Sequence, residues 1–159
     1  MRKLIGLLAV IFIVSTGQVF AQTTTYKLRD AGPAGGLVFA QFDFFGLEAA
    51  PSDESPSRMI WGDAVKACKD KSVTVGSKTF TDWVLPSKEI LDLMYVNLKS
   101  GKDKAGVTYT PVGGFSSYFY WSSSEDGGSY AWAQYFDDGY QGNDSKDSSA
   151  TRVRCVRAF

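Results

Sequence analysis

Hydrophobic and polar positions change rhythm several times along this chain, and each rhythm predicts a different element. Residues 4–14 are an almost unbroken apolar run behind Arg2 and Lys3, and Val19-Phe20-Ala21 follows. A positive n-region, an apolar h-region and a small-x-small ending predict that residues 1–21 are a cleavable export signal, with Gln22 as the mature N-terminus. The rival reading is a retained membrane anchor, for which the run is short. No Cys follows it closely, so lipid attachment at a new N-terminal Cys is excluded. Residues 22–34 read as a polar lead-in, and Gly32-Pro33-Ala34-Gly35-Gly36 as a turn cluster.

Residues 37–45 are apolar and aromatic and read as a strand, with 47–50 as its hairpin partner. Residues 51–58 are a Pro- and Ser-rich loop. Ala64, Val65 and Cys68 then form one stripe at helical spacing, predicting a helix over 61–71. Asp63 near its start and Lys69 and Lys71 near its end suit the helix dipole. Residues 73–81 read as a loop or short hairpin around Gly76, and 82–87 as a short extended segment that Pro86 stops. Ser87 is a good N-cap for a second helix over 88–99, where Ile90, Leu91, Met94 and Leu98 recur at helical spacing, and Gly101 ends it. Residues 102–114 are a polar loop. Three strands follow, at about 118–122, 130–136 and 152–156, with a long polar loop over 137–151 between the last two. No internal repeat is visible. Strands, then two helices, then strands predict the α+β class with a mostly antiparallel, twisted sheet.

Composition narrows the function. Removing 1–21 from 159 residues leaves 138, enough for one domain with a real core. The mature part carries 15 basic and 17 acidic residues, a net charge of −2. Nucleic acid is not an expected partner, because that needs a basic surplus. Cys68 and Cys155 are the two cysteines, and pairing is the default in an oxidising compartment. Closing that loop stabilises by roughly 4 kcal/mol on the chain-entropy argument. The alternative is two free thiols, one of them nucleophilic, but there is no His to activate a thiolate. The same absence excludes a Ser-His-Asp triad and any His-containing metal site.

Four blocks carry a resemblance: Trp61-Gly62-x-Ala64-x-x-x-Cys68, Asp82-Trp83-x-Leu85-Pro86-Ser87-x-Glu89, Tyr120-Trp121-Ser122-Ser123-Ser124-Glu125 and Arg152-Val153-Arg154-Cys155-Val156-Arg157. In this order they resemble the Lcl C-terminal domain family, over about 35–159. The resemblance implies a C-type-lectin-like fold, akin to formylglycine-generating enzymes and to the variable proteins of diversity-generating retroelements. In that fold a disulfide joins the first helix to the last strand, where Cys68 and Cys155 stand.

The nearest likeness is to the retroelement-diversified proteins, whose C-terminal block interleaves fixed and variable residues. Trp121, Ser122, Ser123, Ser124, Trp132, Phe136, Gly139, Arg152 and Arg154 match the fixed pattern. Asp126, Tyr130, Ala133, Tyr135, Asp137, Tyr140, Gly142, Asn143, Asp144 and Asp147 fall at variable, ligand-binding positions. All ten are reachable by adenine-directed mutation of Asn codons, a permissive test.

Other chemistry is weaker. The two cysteines are committed to the scaffold, which counts against formylglycine-type catalysis. Glu125 and Asp126 are adjacent and diverge, so acid–base work by the pair is not expected. Asp137, Asp138, Asn143, Asp144 and Asp147 offer hard oxygens for calcium, but EF-hand spacing and the Glu-Pro-Asn and Trp-Asn-Asp motifs of calcium-dependent lectins are absent. Residues 125–151 carry a net charge of −5, which repels the sulfated polysaccharides associated with some relatives. Arg152, Arg154 and Arg157 are read as structural, pairing with carboxylates or packing their stems. Trp83, Leu85, Trp121, Trp132 and Phe136 are read as core, Tyr135 and Tyr140 as exposed anchors.

The sequence therefore predicts an exported, non-enzymatic binding protein, periplasmic, cell-surface or secreted. It has no transmembrane segment after cleavage, no cofactor and no metal, and its ligand is an extracellular protein or glycan. A fixed polysaccharide adhesin, a structural envelope protein and a formylglycine-generating-type enzyme are the alternatives.

Overall fold

Alternating apolar residues build a hairpin first. β1 (Leu37–Gln41) and β2 (Gly46–Ala49) pair antiparallel, with a register shift between Val38 and Ala40. The strand expected over 37–45 stops at Gln41, because Phe42 to Phe45 form the turn, the Phe42 amide donating to the Phe45 carbonyl at 2.8 Å. These features come from a computed structural model that describes residues 25–148 and 150–159. The expected export signal, its cleavage point and the first residues of the lead-in lie outside the described residues.

α1 (Trp61–Lys69) buries Ala64 and Cys68, one turn apart, and carries Asp63 in its first turn and Lys66 and Lys69 in its last. It is a little shorter than expected, with Asp70 as its C-cap. β3 (Val73–Val75) and β4 (Lys78–Phe80) make the small hairpin around Gly76. α2 (Lys88–Leu98) starts where Ser87 predicted: its hydroxyl accepts from the Ile90 amide at 3.3 Å. Leu91, Met94 and Leu98 form its buried stripe.

Instead of one twisted sheet there are three. β1, β2 and the last strand β8 (Val156–Ala158) form one antiparallel sheet, and β3–β4 a second. β5 (Phe119–Glu125), β6 (Tyr130–Tyr135) and β7 (Gln141–Ser145) form the third. The α+β class holds. Two further corrections concern the C-terminal third. The long polar loop contains a strand, β7. Residues 152–155 are not a strand, because they thread between several elements: Arg152 bridges β5, Thr151 bridges Met59, and Val156 bridges Val84.

β5 divides the core by strand alternation. Trp121 lies with Ala64, Cys68, Trp83, Leu85, Ala131, Ala133 and Cys155. Tyr120 lies on the other side with Phe39, Leu91, Met94, Phe115 and Phe136. Cys68 and Cys155 are bonded, with Cα atoms 5.4 Å apart. The disulfide thus ties α1 to the C-terminal segment, as the resemblance implied, with Cys155 standing one residue before β8.

A carboxylate holds the first sheet to the rest. Glu48 on β2 is fully buried. It accepts from the Ala34 and Gly36 amides, each at 3.0 Å, and from Arg157 Nη1 at 2.6 Å. The Gly-rich turn cluster is shaped to this carboxylate: a Cβ at Gly32 would sit 2.4 Å from Glu48 Oε2. Arg157 also reaches Asp82 with Nε and Nη2, at 2.8 and 2.9 Å. Arg154 donates to Asp53 Oδ1, the Ala50 carbonyl and the Gly113 carbonyl at 2.8, 2.9 and 3.0 Å. The structural reading of these arginines is therefore right.

Replacing the buried carboxylate by an amide removes one of the two anions that hold Arg157 and turns a donor toward the amides that faced it. Glu48→Gln should therefore cost about 3 kcal/mol or more in chemical denaturation. Cys68→Ala/Cys155→Ala should lower stability by roughly 4 kcal/mol on the loop-entropy argument. Arg157 holds the Asp82 carboxyl below its usual range. A depressed carboxylate contributes stability above its unfolded pKa and loses it as pH falls through the folded value. Stability of the parent protein should thus fall below about pH 4, and Asp82→Asn should flatten that limb of the pH–stability curve.

Candidate ligand-display surface

Most of the ten predicted ligand positions lie on the β5–β6–β7 sheet and its turns, and that sheet is bonded to the helices beneath it. The Trp-Ser-Ser-Ser block spends its polar groups on backbone. Trp121 Nε1 donates to the Met59 carbonyl at 2.9 Å. Ser122 Oγ donates to the Trp132 carbonyl at 2.8 Å, and its own carbonyl accepts from Trp61 Nε1 at 2.8 Å. The Ser123 amide donates to the Pro86 carbonyl at 2.7 Å, and Ser124 Oγ accepts from the Lys88 amide at 2.9 Å. These bonds lock β5 to α1 and to the start of α2. Tyr120 is buried beneath, its hydroxyl donating to Asp53 Oδ2 at 3.0 Å; burial pushes that hydroxyl's pKa up.

Residues that the sequence reading passed over complete the frame. Gln134 is fully buried and donates to Asp92 Oδ1 at 3.0 Å and to the Gly139 carbonyl at 3.1 Å. Gln141 Nε2 donates to the Lys88 carbonyl at 3.0 Å. Lys88 Nζ stands 3.0 Å over the Trp132 ring, so Trp132 is half-buried under a cation rather than in the core. Gly139 has φ +85°, and a Cβ there would lie 2.5 Å from the Tyr95 ring, which explains its place in the fixed pattern.

Lys146 is the most consequential omission. It is buried, and its ammonium donates to Glu125 Oε2 at 2.5 Å, the Gly128 carbonyl at 2.9 Å and the Gly127 carbonyl at 3.3 Å. It also stands 4.8 Å over the Trp61 ring. One lysine thus clamps the β5–β6 turn. The available signal was a single Lys inside an acidic stretch.

The ten ligand positions then sort by geometry. Asp126, Tyr130, Asn143 and Asp147 are exposed and follow the β5–β6 turn and the end of β7; Asn143 Nδ2 donates to Asp126 Oδ2. Tyr135, Asp137, Tyr140 and Gly142 lie toward the β6–β7 turn. Tyr140 is 62 % exposed and Tyr130 49 %. Tyr135 is half-buried, stacked on Phe119 at 4.9 Å between centroids, so it is a weaker anchor than expected. Asp144 is half-buried and accepts from the Ser145 amide at 2.9 Å. Ala133 is off the surface: it is 2 % exposed and faces the core beside Ala131, as strand alternation requires. Among the described residues, no three His, Cys, Asp or Glu groups converge to hold a metal ion. No helix among them is long and apolar enough to cross a membrane.

The fold and this geometry now meet the comparison with known families. The family model described as the Lcl C-terminal domain matches residues 37–157. The chain belongs to that family. Membership in the Lcl C-terminal domain family suggests a ligand-binding or adhesin-like domain. No curated protein matches the chain.

The clamp makes a local prediction. Lys146→Met should cost about 1–3 kcal/mol by leaving Glu125 and the turn carbonyls unsatisfied. Hydrogen exchange should quicken at 126–130 and stay unchanged at the Gly139 turn.

Proposed function

We propose that the protein is an exported receptor or adhesin whose C-terminal block is diversified by a retroelement. The observation that carries this reading is a division of labour within 118–159. The residues of the fixed pattern bond to backbone or fill the core, with Ser123 joined through its main chain and Trp132 only half-buried. All the ligand positions but Ala133 are at least partly open to solvent. A surface built this way changes its chemistry without changing its fold. Recognition is noncovalent: Tyr130 and Tyr140 anchor the ligand, carboxylates form the rim, and the disulfide-tied frame keeps ordering costs low. The acidic character favours a protein with a basic contact face over a sulfated glycan. No catalytic step, cofactor or metal enters this mechanism, and export through residues 1–21 delivers the domain outside the cytoplasm.

The test is to sequence the DNA flanking the gene. A near-copy of the segment encoding 121–159, differing mainly at adenines and beside a reverse transcriptase, is the expected finding. Its absence would leave a fixed adhesin as the reading. At the protein level, Tyr130→Ala and Tyr140→Ala should shift stability by no more than about 0.5 kcal/mol, as exposed positions do. The same variants should weaken binding to a selected ligand at least tenfold.

A further inference from the structure

The protein covers the edges of its two three-stranded sheets, with one exception. The outer edge of β1 is met by residues 29–30: Arg29 donates to the Val38 carbonyl at 2.7 Å, and Val38 to the Asp30 carbonyl at 3.0 Å. The outer edge of β8 is met by Val84, which exchanges both main-chain bonds with Val156 at 2.8 and 2.9 Å. The outer edge of β5 is met by Arg152 and Pro86, whose carbonyls accept from Trp121 at 3.0 Å and Ser123 at 2.7 Å. β7 ends the third sheet, with no strand beyond it among the described residues.

Its register says which groups face outward. Tyr135 donates to the Tyr140 carbonyl and Lys146 to the Ser129 carbonyl, and β6 pairs with β7 without a bulge between these bonds. Bonded pairs alternate with non-bonded ones in an antiparallel ladder. The main-chain groups of Gln141, Asn143 and Ser145 therefore point away from β6. The Ser145 amide is taken by Asp144 Oδ1 at 2.9 Å. The N–H and C=O groups of Gln141 and Asn143 meet no main-chain partner among the described residues. Of the devices that blunt an edge, β7 has no Pro, no Lys and no bulge; its one charged residue is Asp144.

Resting on the display-surface reading above, we propose that this edge is where the ligand docks, and that the ligand is an extended, basic peptide segment of a protein, added as a fourth strand beside β7. Main-chain bonds to Gln141 and Asn143 would supply sequence-independent affinity, and alternate side chains the specificity. On one face the incoming side chains meet Asn143 and its partner Asp126. On the other they meet the Tyr140 ring, which lies over Gly142, 3.0 Å from where a Cβ there would stand. The charge fits a cationic strand: residues 125–151 hold six carboxylates and one lysine, and that lysine is buried in its clamp. Because the main chain does the pairing, diversification of the surrounding side chains would retune the choice of peptide while leaving the docking mode unchanged.

The test uses the mature protein and three synthetic peptides: alternating lysine and valine, its fully N-methylated counterpart, and alternating glutamate and valine. The lysine–valine peptide should bind at least tenfold more tightly than either of the others and slow hydrogen exchange at Asn143. Asn143→Pro removes an outward amide and leaves the β6 ladder intact; it should weaken that peptide at least tenfold with the melting temperature little changed. Equal binding of the N-methylated peptide would overturn edge pairing, as would failure of all three to bind. If Tyr140→Ala weakens both cationic peptides equally, the display surface stands and only the docking mode falls. A selected protein ligand that binds the Asn143→Pro variant as well as the parent would overturn it too, independently of the peptides.

Discussion

The buried carboxylate of Glu48 is the constraint around which the rest is arranged. A charge removed from water must be met by donors on every side, because its desolvation otherwise costs several kcal/mol. Here the donors are the Ala34 and Gly36 amides and the Arg157 guanidinium. Meeting that demand draws the Gly-rich turn, β2, β8 and, through Asp82, the segment before α2 into one place. Arg154 does the same for Asp53, Ala50 and Gly113. The Cys68–Cys155 bond adds a covalent tie one residue from Arg154. The C-terminal segment is thus a buried thread that joins the early and late halves of the chain.

That anchoring explains how an exposed surface can be polar, glycine-rich and still well formed. The sheet β5–β6–β7 does not rest on strand propensity alone, which is high in the aromatic β5 and β6 and low in β7. Its order comes from tryptophan and serine groups bonded to backbone, from the buried Gln134 and from Lys146 under the turn. Side chains at Asp126, Tyr130, Tyr140 and Asn143 are left out of this accounting. They can serve recognition because the fold does not rest on them, and the open edge of β7 lies among them.

Legibility in the sequence followed the kind of interaction involved. Local patterns were readable: the stripes of α1 and α2, the Ser87 cap, the hairpin signals and the cysteine pairing all depend on neighbours in sequence or on compartment. β7 was not readable, because Gln141-Gly142-Asn143-Asp144-Ser145 has no apolar alternation and little β-propensity. It is a strand only because β6 offers a ladder. The reverse error occurred at 152–155, where apolar/cationic alternation looked like a one-faced strand. Val153, Arg154 and Cys155 are all buried there and Arg152 is half-buried, the arginines meeting a carboxylate and carbonyls that lie far away in sequence.

The sequence by itself determined the α+β class through the order of its locally patterned elements, the family through its four motif blocks, and the cysteine tie through there being two cysteines to pair. Only the tertiary structure decided which ligand positions reach solvent. Ala133 and Tyr140 look alike as variable positions, yet one faces the core and the other stands 62 % exposed. Likewise Lys146 reads as one charge in an acidic loop until the fold closes two glycine carbonyls and Glu125 around it. Exposure, ion pairing and an uncovered strand edge depend on what the rest of the chain brings alongside, and a linear pattern does not contain that information.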